Sequence, residues 1–293
     1  MLNVLIDPSQ ERKIADFRTL GMNDVLALGR YQYSYAHNQL PRHTHGDSFE
    51  ICYMDEGIQP YVIGKKKYVL KGGEVLTVFP NENHSSGHAP EYKGRLYWLI
   101  IREPKPKEAF LELPLNETEK LCSALYALKP RHFPGNKFLK FYLEKIFQAY
   151  SGSSPMKNLE IRTWAIRFLL DIITDCSEHK DHLVSPMVRN IQNYIQENLH
   201  KENFLLSDLA FRSGLSLSRF KARFKEEVGV APGNYIIHQK IIKAKELLAE
   251  RKCNIIEIAM MLGFSTSQYF ATTFKRYTGI TPSEFRSSPE PIL

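Results

Sequence analysis

Sulfur is scarce in this chain: four cysteines among 293 residues, Cys52, Cys122, Cys176 and Cys253, with no C-x-x-C pair. That spacing excludes a disulfide framework and a cysteine-held structural zinc, and fits reduced thiols inside a core. Long apolar runs are also missing. Nowhere do eighteen apolar residues follow one another, and Met1–Pro8 carries Asp7 beside only a short apolar run. Neither a membrane span nor a signal peptide is expected, and the chain is placed in the cytoplasm. Glycine and proline, at 16 each, are too few for a collagenous or low-complexity chain.

What is present is a globular composition, 43% hydrophobic and 24% charged. It is spread over more residues than one core usually organises, so more than one domain is expected. Charge is unevenly placed. Residues 185–293 hold 15 Lys and Arg against 10 Asp and Glu, whereas residues 1–184 hold 24 against 22. The excess gathers where a phosphate-binding surface would need it.

From Asp24 to Arg102, short alternating or β-branched and aromatic stretches are interrupted by turn residues such as Gly57, Gly64, Gly72-Gly73 and Pro80-Asn81. Glu50–Met54, Tyr61–Ile63, Tyr68–Leu70, Val75–Phe79 and Leu96–Ile101 predict strands of a barrel or sandwich. After Pro104 and Pro106 the period turns helical, through Leu121, Leu125 and Leu128, then Leu139, Tyr142, Leu143 and Ile146, then Ile161, Trp164, Phe168 and Ile172. Such helices either cover the barrel or make a helix-on-helix dimer seam. The polar stretch Ser177–His182 reads as a linker. The fold class is therefore α+β: a β-barrel over residues 1–112, a helical dimerisation or linker region over 113–184, and an all-α domain over 185–293.

That last third repeats itself. Leu209-Ala210, Gly214 and Ser216 recur forty-nine residues later as Ile258-Ala259, Gly263 and Ser265. Phe220, Phe224, Lys225, Gly229, Pro232 and Tyr235 recur fifty residues later as Phe270, Phe274, Lys275, Gly279, Pro282 and Phe285. Each copy predicts a short helix, a tight turn at glycine, and a second helix capped by the hydroxyl of Ser216 or Ser265: a helix-turn-helix. The Phe pairs, at i and i+4, turn one face of the second helix inward. At 100° per residue the free face then holds Ser218, Arg219, Ala222 and Lys225, flanked by Lys221. In the second copy it holds Gln268, Thr272 and Lys275, with Thr266, Ser267 and Ala271 beside them. Ala231–Ala249 reads as one helix of about 28 Å at about 1.5 Å per residue. That span can hold two reading helices about one DNA turn, roughly 34 Å, apart. Gln268 suits adenine N6/N7, while Lys225, Lys275, Arg219 and Arg223 suit phosphates.

Ser185–Ser287 resembles the DNA-binding region of the AraC/XylS family of bacterial transcriptional regulators. The resemblance rests on Gly263-Phe-Ser265, Tyr269-Phe270, Phe274-Lys275, Gly279-Ile-Thr-Pro282 and Phe285-Arg286, and covers about a third of the chain. It implies two helix-turn-helix units on a long helix, double-stranded DNA and RNA polymerase as partners, activation of transcription, and a homodimer. It also implies more base contacts from the first unit, where Ala222 replaces the longer polar side chain common at that position.

A second constellation, His43-Thr-His45, Glu50, Gly57, Gly73, Pro80 and His84, resembles the cupin barrel, whose HxH, Glu and His can hold a divalent metal. Three imidazoles and a carboxylate suit Fe, Mn, Ni or Zn. His43 and His45 are two apart on a strand and share a face, Glu50 begins the next strand, and His84 closes the set from across the barrel. Two functions compete: a metal-dependent cupin enzyme with a helical tail, and a small-molecule sensor that requires no cofactor. A chromatin-like architectural binder is a third class. The fused DNA-binding region favours the sensor over catalysis. Tyr33, Tyr35, Arg42, Glu50, Tyr53 and Trp98 are expected around a pocket suited to a sugar or sugar derivative. Its ligand-binding residues are then Arg42, His43, His45, Glu50, Tyr53, His84 and Trp98.

Overall fold

The computed structural model describes residues 11–105, 107–178, 184–201 and 204–287. The expected linker residues 179–182 lie outside the described residues, as does the opening Met1–Pro8. Contacts divide the chain into two units. The first takes residues up to Gln32, Pro41–Gly87 and Gly94 through the third long helix; the second takes Tyr33–Leu40, His88–Lys93 and what is described from Val184 onward.

In the first unit β1 (Arg12–Asp16), β2 (Val25–Tyr33), β3 (Ser48–Ile63), β5 (Glu74–Val78), β7 (Gly94–Arg102) and β8 (His132–Pro134) lie in the order β1-β2-β7-β3-β5-β8. Two more strands, β4 (Lys66–Lys71) and β6 (His84–Ser85), pair with the far half of β3. Gly57 reads as a break between two strands, yet β3 runs on through it. A bulge between Met54 and Glu56, followed by Gly57 at φ 109°, bends the strand without ending it. The near half of β3 therefore joins β5 and β7, and the far half joins β4 and β6.

Alternation along these strands sorts side chains to two faces. Phe49, Ile51 and Tyr53 of β3, with Tyr97, Leu99 and Ile101 of β7, enter a core shared with α1 (Leu115–Tyr126), α2 (Leu139–Ser151) and α3 (Lys157–Ser177). That core takes Leu121 and Leu125 from α1, Leu139, Leu143 and Ile146 from α2, and Ile161, Phe168 and Ile172 from α3. The apolar periodicity of this stretch thus covers the sheet. Each fully buried side chain of this size contributes about 1.5–3 kcal/mol. Residues from 113 to the end of α3 form no separate body; they share the sheet's interior.

The second unit is helical apart from its two short sheet-domain segments: α4 (Pro186–Glu197), α5 (Leu206–Arg212), α6 (Leu217–Val228), α7 (Pro232–Glu250), α8 (Ile255–Met261), α9 (Ser267–Thr278) and α10 (Pro282–Ser287). Its two halves repeat in three dimensions. Phe220 and Phe224 stand 5.7 Å apart, with Tyr235 5.4 Å beyond. Phe270 and Phe274 stand 5.7 Å apart, with Phe285 5.6 Å beyond. Gly214 and Gly263 both take left-handed backbone, at φ 68° and 60°, in the tight turn of each copy. The long helix α7 packs against α6, α8, α9 and α10, so one rod supports both halves.

Candidate functional site

Because β3 bends, its far end brings β6 back over its own beginning. His84 pairs in register with Ile63, and an isolated bridge joins His43 to His84. Glu50, opposite Val78 and Ile100 near the start of β3, points to the same interior. His84 Nε2 stands 2.8 Å from Glu50 Oε2, and His45 Nε2 stands 3.6 Å from the same oxygen. The ligand-capable nitrogens of His43, His45 and His84 all lie within 4.8 Å of one another.

His43-Thr44-His45 is not a strand, as its spacing suggested. Only His43 makes a bridge, while Thr44 is exposed between a half-buried and a buried histidine. The alternation survives locally, so both rings turn inward, with centroids 4.9 Å apart. Nδ1 of His43 lies 2.8 Å from the Pro41 carbonyl, which leaves Nε2 for the cluster. Burial and neighbouring His84 depress the His43 pKa. Burial works against the Glu50 carboxylate, but His84 and His45 outweigh it and hold that carboxyl well below its ordinary value.

A cavity of about 850 Å³ opens at this cluster, with Arg42, His43, His45, Asp47, Arg102 and Lys105 on its wall. Arg102 is tied to Asp24 and Glu108. Deeper on the same interior face, Trp98 lies opposite Cys52, two residues from Glu50. Its ring fills the space a Cβ on Gly29 would need, meeting it at 1.9 Å, and the Arg12 guanidinium sits 4.8 Å from its centroid. Tyr31 Oη donates to Gln59 Oε1 at 3.2 Å beside it. Tyr53, expected on the pocket wall, is elsewhere. One residue of strand separates it from Cys52, so it faces the helices and packs on Tyr97 with ring centroids 6.4 Å apart. Arg12, Tyr31 and Gln59 were missed because no spacing rule ties β1 and the far half of β3 to the same interior.

In the second unit, Ser218, Arg219, Lys221, Ala222 and Lys225 of α6 are all exposed, as are Thr266, Gln268, Thr272 and Lys275 in the second copy; Ser267 and Ala271 are half-buried. The Ser216 hydroxyl caps α6 by accepting from the Arg219 N–H. In the second copy the cap is Thr266, not Ser265: its hydroxyl accepts from Tyr269 N–H at 3.0 Å. The extra residue of the second repeat therefore lies in the turn, and every α6 position matches α9 at an offset of fifty. Arg223 is spent on an ion pair, its Nε 2.8 Å from Glu227.

A residue unmarked by the sequence holds the second turn. Lys240, buried in α7, donates to the carbonyls of Lys201 at 2.9 Å and Gly263 at 3.0 Å. A Cβ on Gly263 would meet the His200 carbonyl oxygen at 2.4 Å. The glycine serves close approach as well as handedness.

A sheet domain with a polar cavity, followed by two helix-turn-helix units on a shared rod, defines a ligand-responsive DNA-binding protein. Residues 27–130 match the family profile described as an AraC-like ligand binding domain, and residues 209–288 match a helix-turn-helix domain profile. The arabinose operon regulatory protein of Escherichia coli K12 is 25% identical over 77% of this chain and 75% of its own length. The transcriptional activator RhaS of Escherichia fergusonii is 24% identical over 86% and 90%. VirF of Yersinia enterocolitica, a virulence regulon activator, is 34% identical, over 36% of this chain and 38% of its own. Among solved structures, the carboxy-terminal domain of the response regulator yesN of Fusobacterium nucleatum is 35% identical over 35% of this chain and 100% of its own, with a TM-score of 0.34.

The chain belongs to the AraC family of transcriptional regulators, with an amino-terminal ligand-binding domain. These relatives and domains are regulators, which sets aside the enzyme alternative. Among the described residues no helix is long and apolar enough to cross a membrane.

Proposed function

We propose that this regulator binds two neighbouring DNA half-sites through α6 and α9, under the control of a sugar or sugar derivative held in the sheet domain. The observation that carries the DNA half is the repeated ring geometry on one rod. Matching Phe pairs, each closed by a third aromatic ring, orient two capped helices alike relative to α7. The 19 residues of α7 span about 28 Å at roughly 1.5 Å each, close to one DNA turn of about 34 Å. The aromatic and polar interior of the sheet domain and the arabinose regulator's likeness support the sugar class; the activators among the relatives support activation through RNA polymerase.

A second copy of the chain is the proposed partner of α3. Leu159, Thr163 and Leu170 lie at spacings of four and seven on the exposed side of α3, Leu159 and Leu170 being 55% and 47% exposed, while Ile166 and Ile173 at its edge pack partly against the core. That is the seam of two packed helices.

Binding to duplex at graded salt tests the DNA assignment. A Lys225→Ala/Lys275→Ala double variant is expected to bind weakly, with a salt slope shallower by about two. Gln268→Ala is expected to relax preference at one base by about 1–3 kcal/mol. Unchanged binding and unchanged preference in both variants would overturn the assignment.

A further inference from the structure

The side chain that looks outward most directly from each reading helix carries no hydrogen-bonding fork. Phe220 and Phe224 of α6, and Phe270 and Phe274 of α9, are fully buried. At about 100° per residue, Ala222 lies about 160° from each ring of the first pair, and Thr272 about 160° from each ring of the second. Each therefore occupies the centre of the free face, and both are exposed. They are equivalent positions, fifty residues apart. One turn earlier on the same face stand Ser218 and Gln268, four residues before them.

A helix that turns this face into a major groove meets base edges through residues 222 and 272. Their side chains share only a methyl group. Ala222 has nothing else, and Thr272 carries a methyl beside one hydroxyl, so neither forms the bidentate pair that fixes guanine or adenine. The group in that groove that a methyl does recognise is the C5 methyl of thymine, which cytosine and both purines lack. In the first unit there is room for the approach: Ala222, with Leu215, Arg219 and Arg223, lines a hollow of about 710 Å³.

We infer that Ala222 and Thr272 are specificity-determining residues, each seating its methyl against the C5 methyl of a thymine, one in each half-site. The inference rests on the reading of α6 and α9 as the DNA-facing helices, and adds to it the identity of one base in each half-site. It makes the two half-sites alike at that position, although Ser218 and Gln268 differ beside it.

Duplexes selected from a random pool by the full-length parent chain, with each thymine then replaced singly by deoxyuridine, provide the test. Deoxyuridine keeps every hydrogen-bonding group of the base and lacks only the methyl. One thymine in each half-site is expected to be sensitive, binding about fourfold more weakly on losing a buried methyl. Thr272→Ser keeps the hydroxyl and deletes the methyl, so it should abolish the sensitivity in one half-site and retain it in the other. Ala222→Gly should do the reverse. Glycine disfavours a helix interior; if that variant fails to fold, Ala222→Ser decides in its place, since a hydroxyl set against the thymine methyl removes the gain that the methyl provides. Half-sites selected without a thymine, indifference to every deoxyuridine, or sensitivities undiminished in the variants overturn the inference while leaving α6 and α9 as the DNA-facing helices. A parent chain that enriches no duplex overturns that assignment, and the inference falls with it.

Discussion

A single hydroxyl shows how closely residue chemistry sets local structure. Ser216 and Thr266 each satisfy an orphan N–H at the start of a reading helix, and the pair is related by fifty residues rather than the forty-nine that relates the turns. Ser265 is the closer match by eye, yet it lies one residue short of the cap. Thr266→Ala is expected to destabilise the chain by about 1 kcal/mol, and Ser265→Ala by much less, as read by chemical unfolding of the second unit. Equal losses would mean that the helix starts earlier than the hydrogen bond indicates. At the same scale, Tyr53 and Trp98 were indistinguishable as aromatic residues on adjacent strands. One faces the helices and the other the barrel interior, because period two fixes alternation but not which member of a pair turns inward.

Between elements, the decisive contact is the ammonium of Lys240 on α7. It bridges the loop after α4 to the turn before α9, through the carbonyls of Lys201 and Gly263. Lys240→Met keeps the aliphatic stem but leaves those carbonyls unpaired, so a stability loss of about 1–3 kcal/mol is expected by denaturant unfolding. Because the same contact fixes the second turn against the first half, tolerance of altered half-site spacing should widen in selections from random duplexes. A variant as stable and as spacing-strict as the parent would show that the clamp does neither. Nothing in the sequence marked this lysine, which reads as one more cation on an amphipathic helix. By contrast, α7 itself was legible: Pro232 at its start and a continuous helical pattern placed it within a residue of its observed ends.

For the molecule as a whole, the helices after the sheet cover it, one of the two roles that their periodicity allowed. Ile161, Phe168 and Ile172 cover the sheet, while Leu159 and Leu170 of the same helix stay exposed. Leu159→Asp/Leu170→Asp is expected to convert a dimer to monomer in sedimentation without loss of folding, since both side chains are largely exposed. A variant that sediments like the parent would remove α3 from the interface.

The order of residues alone determined the repeat, the identity of its buried rings, the extent of the long helix and the set of donor residues near the amino terminus. These are local properties: spacing, period and side-chain type need no distant partner. Tertiary structure decided which donors meet. His84 reaches Glu50 because a bulge and a glycine bend one strand back over its own beginning, joining residues 34 positions apart. It also decided which aromatic residues turn toward the helices, as Tyr53 does, and which residues of α3 stay exposed. Those outcomes depend on how faces are paired across the sheet, and a strand's pattern is the same whichever of its sides is turned inward.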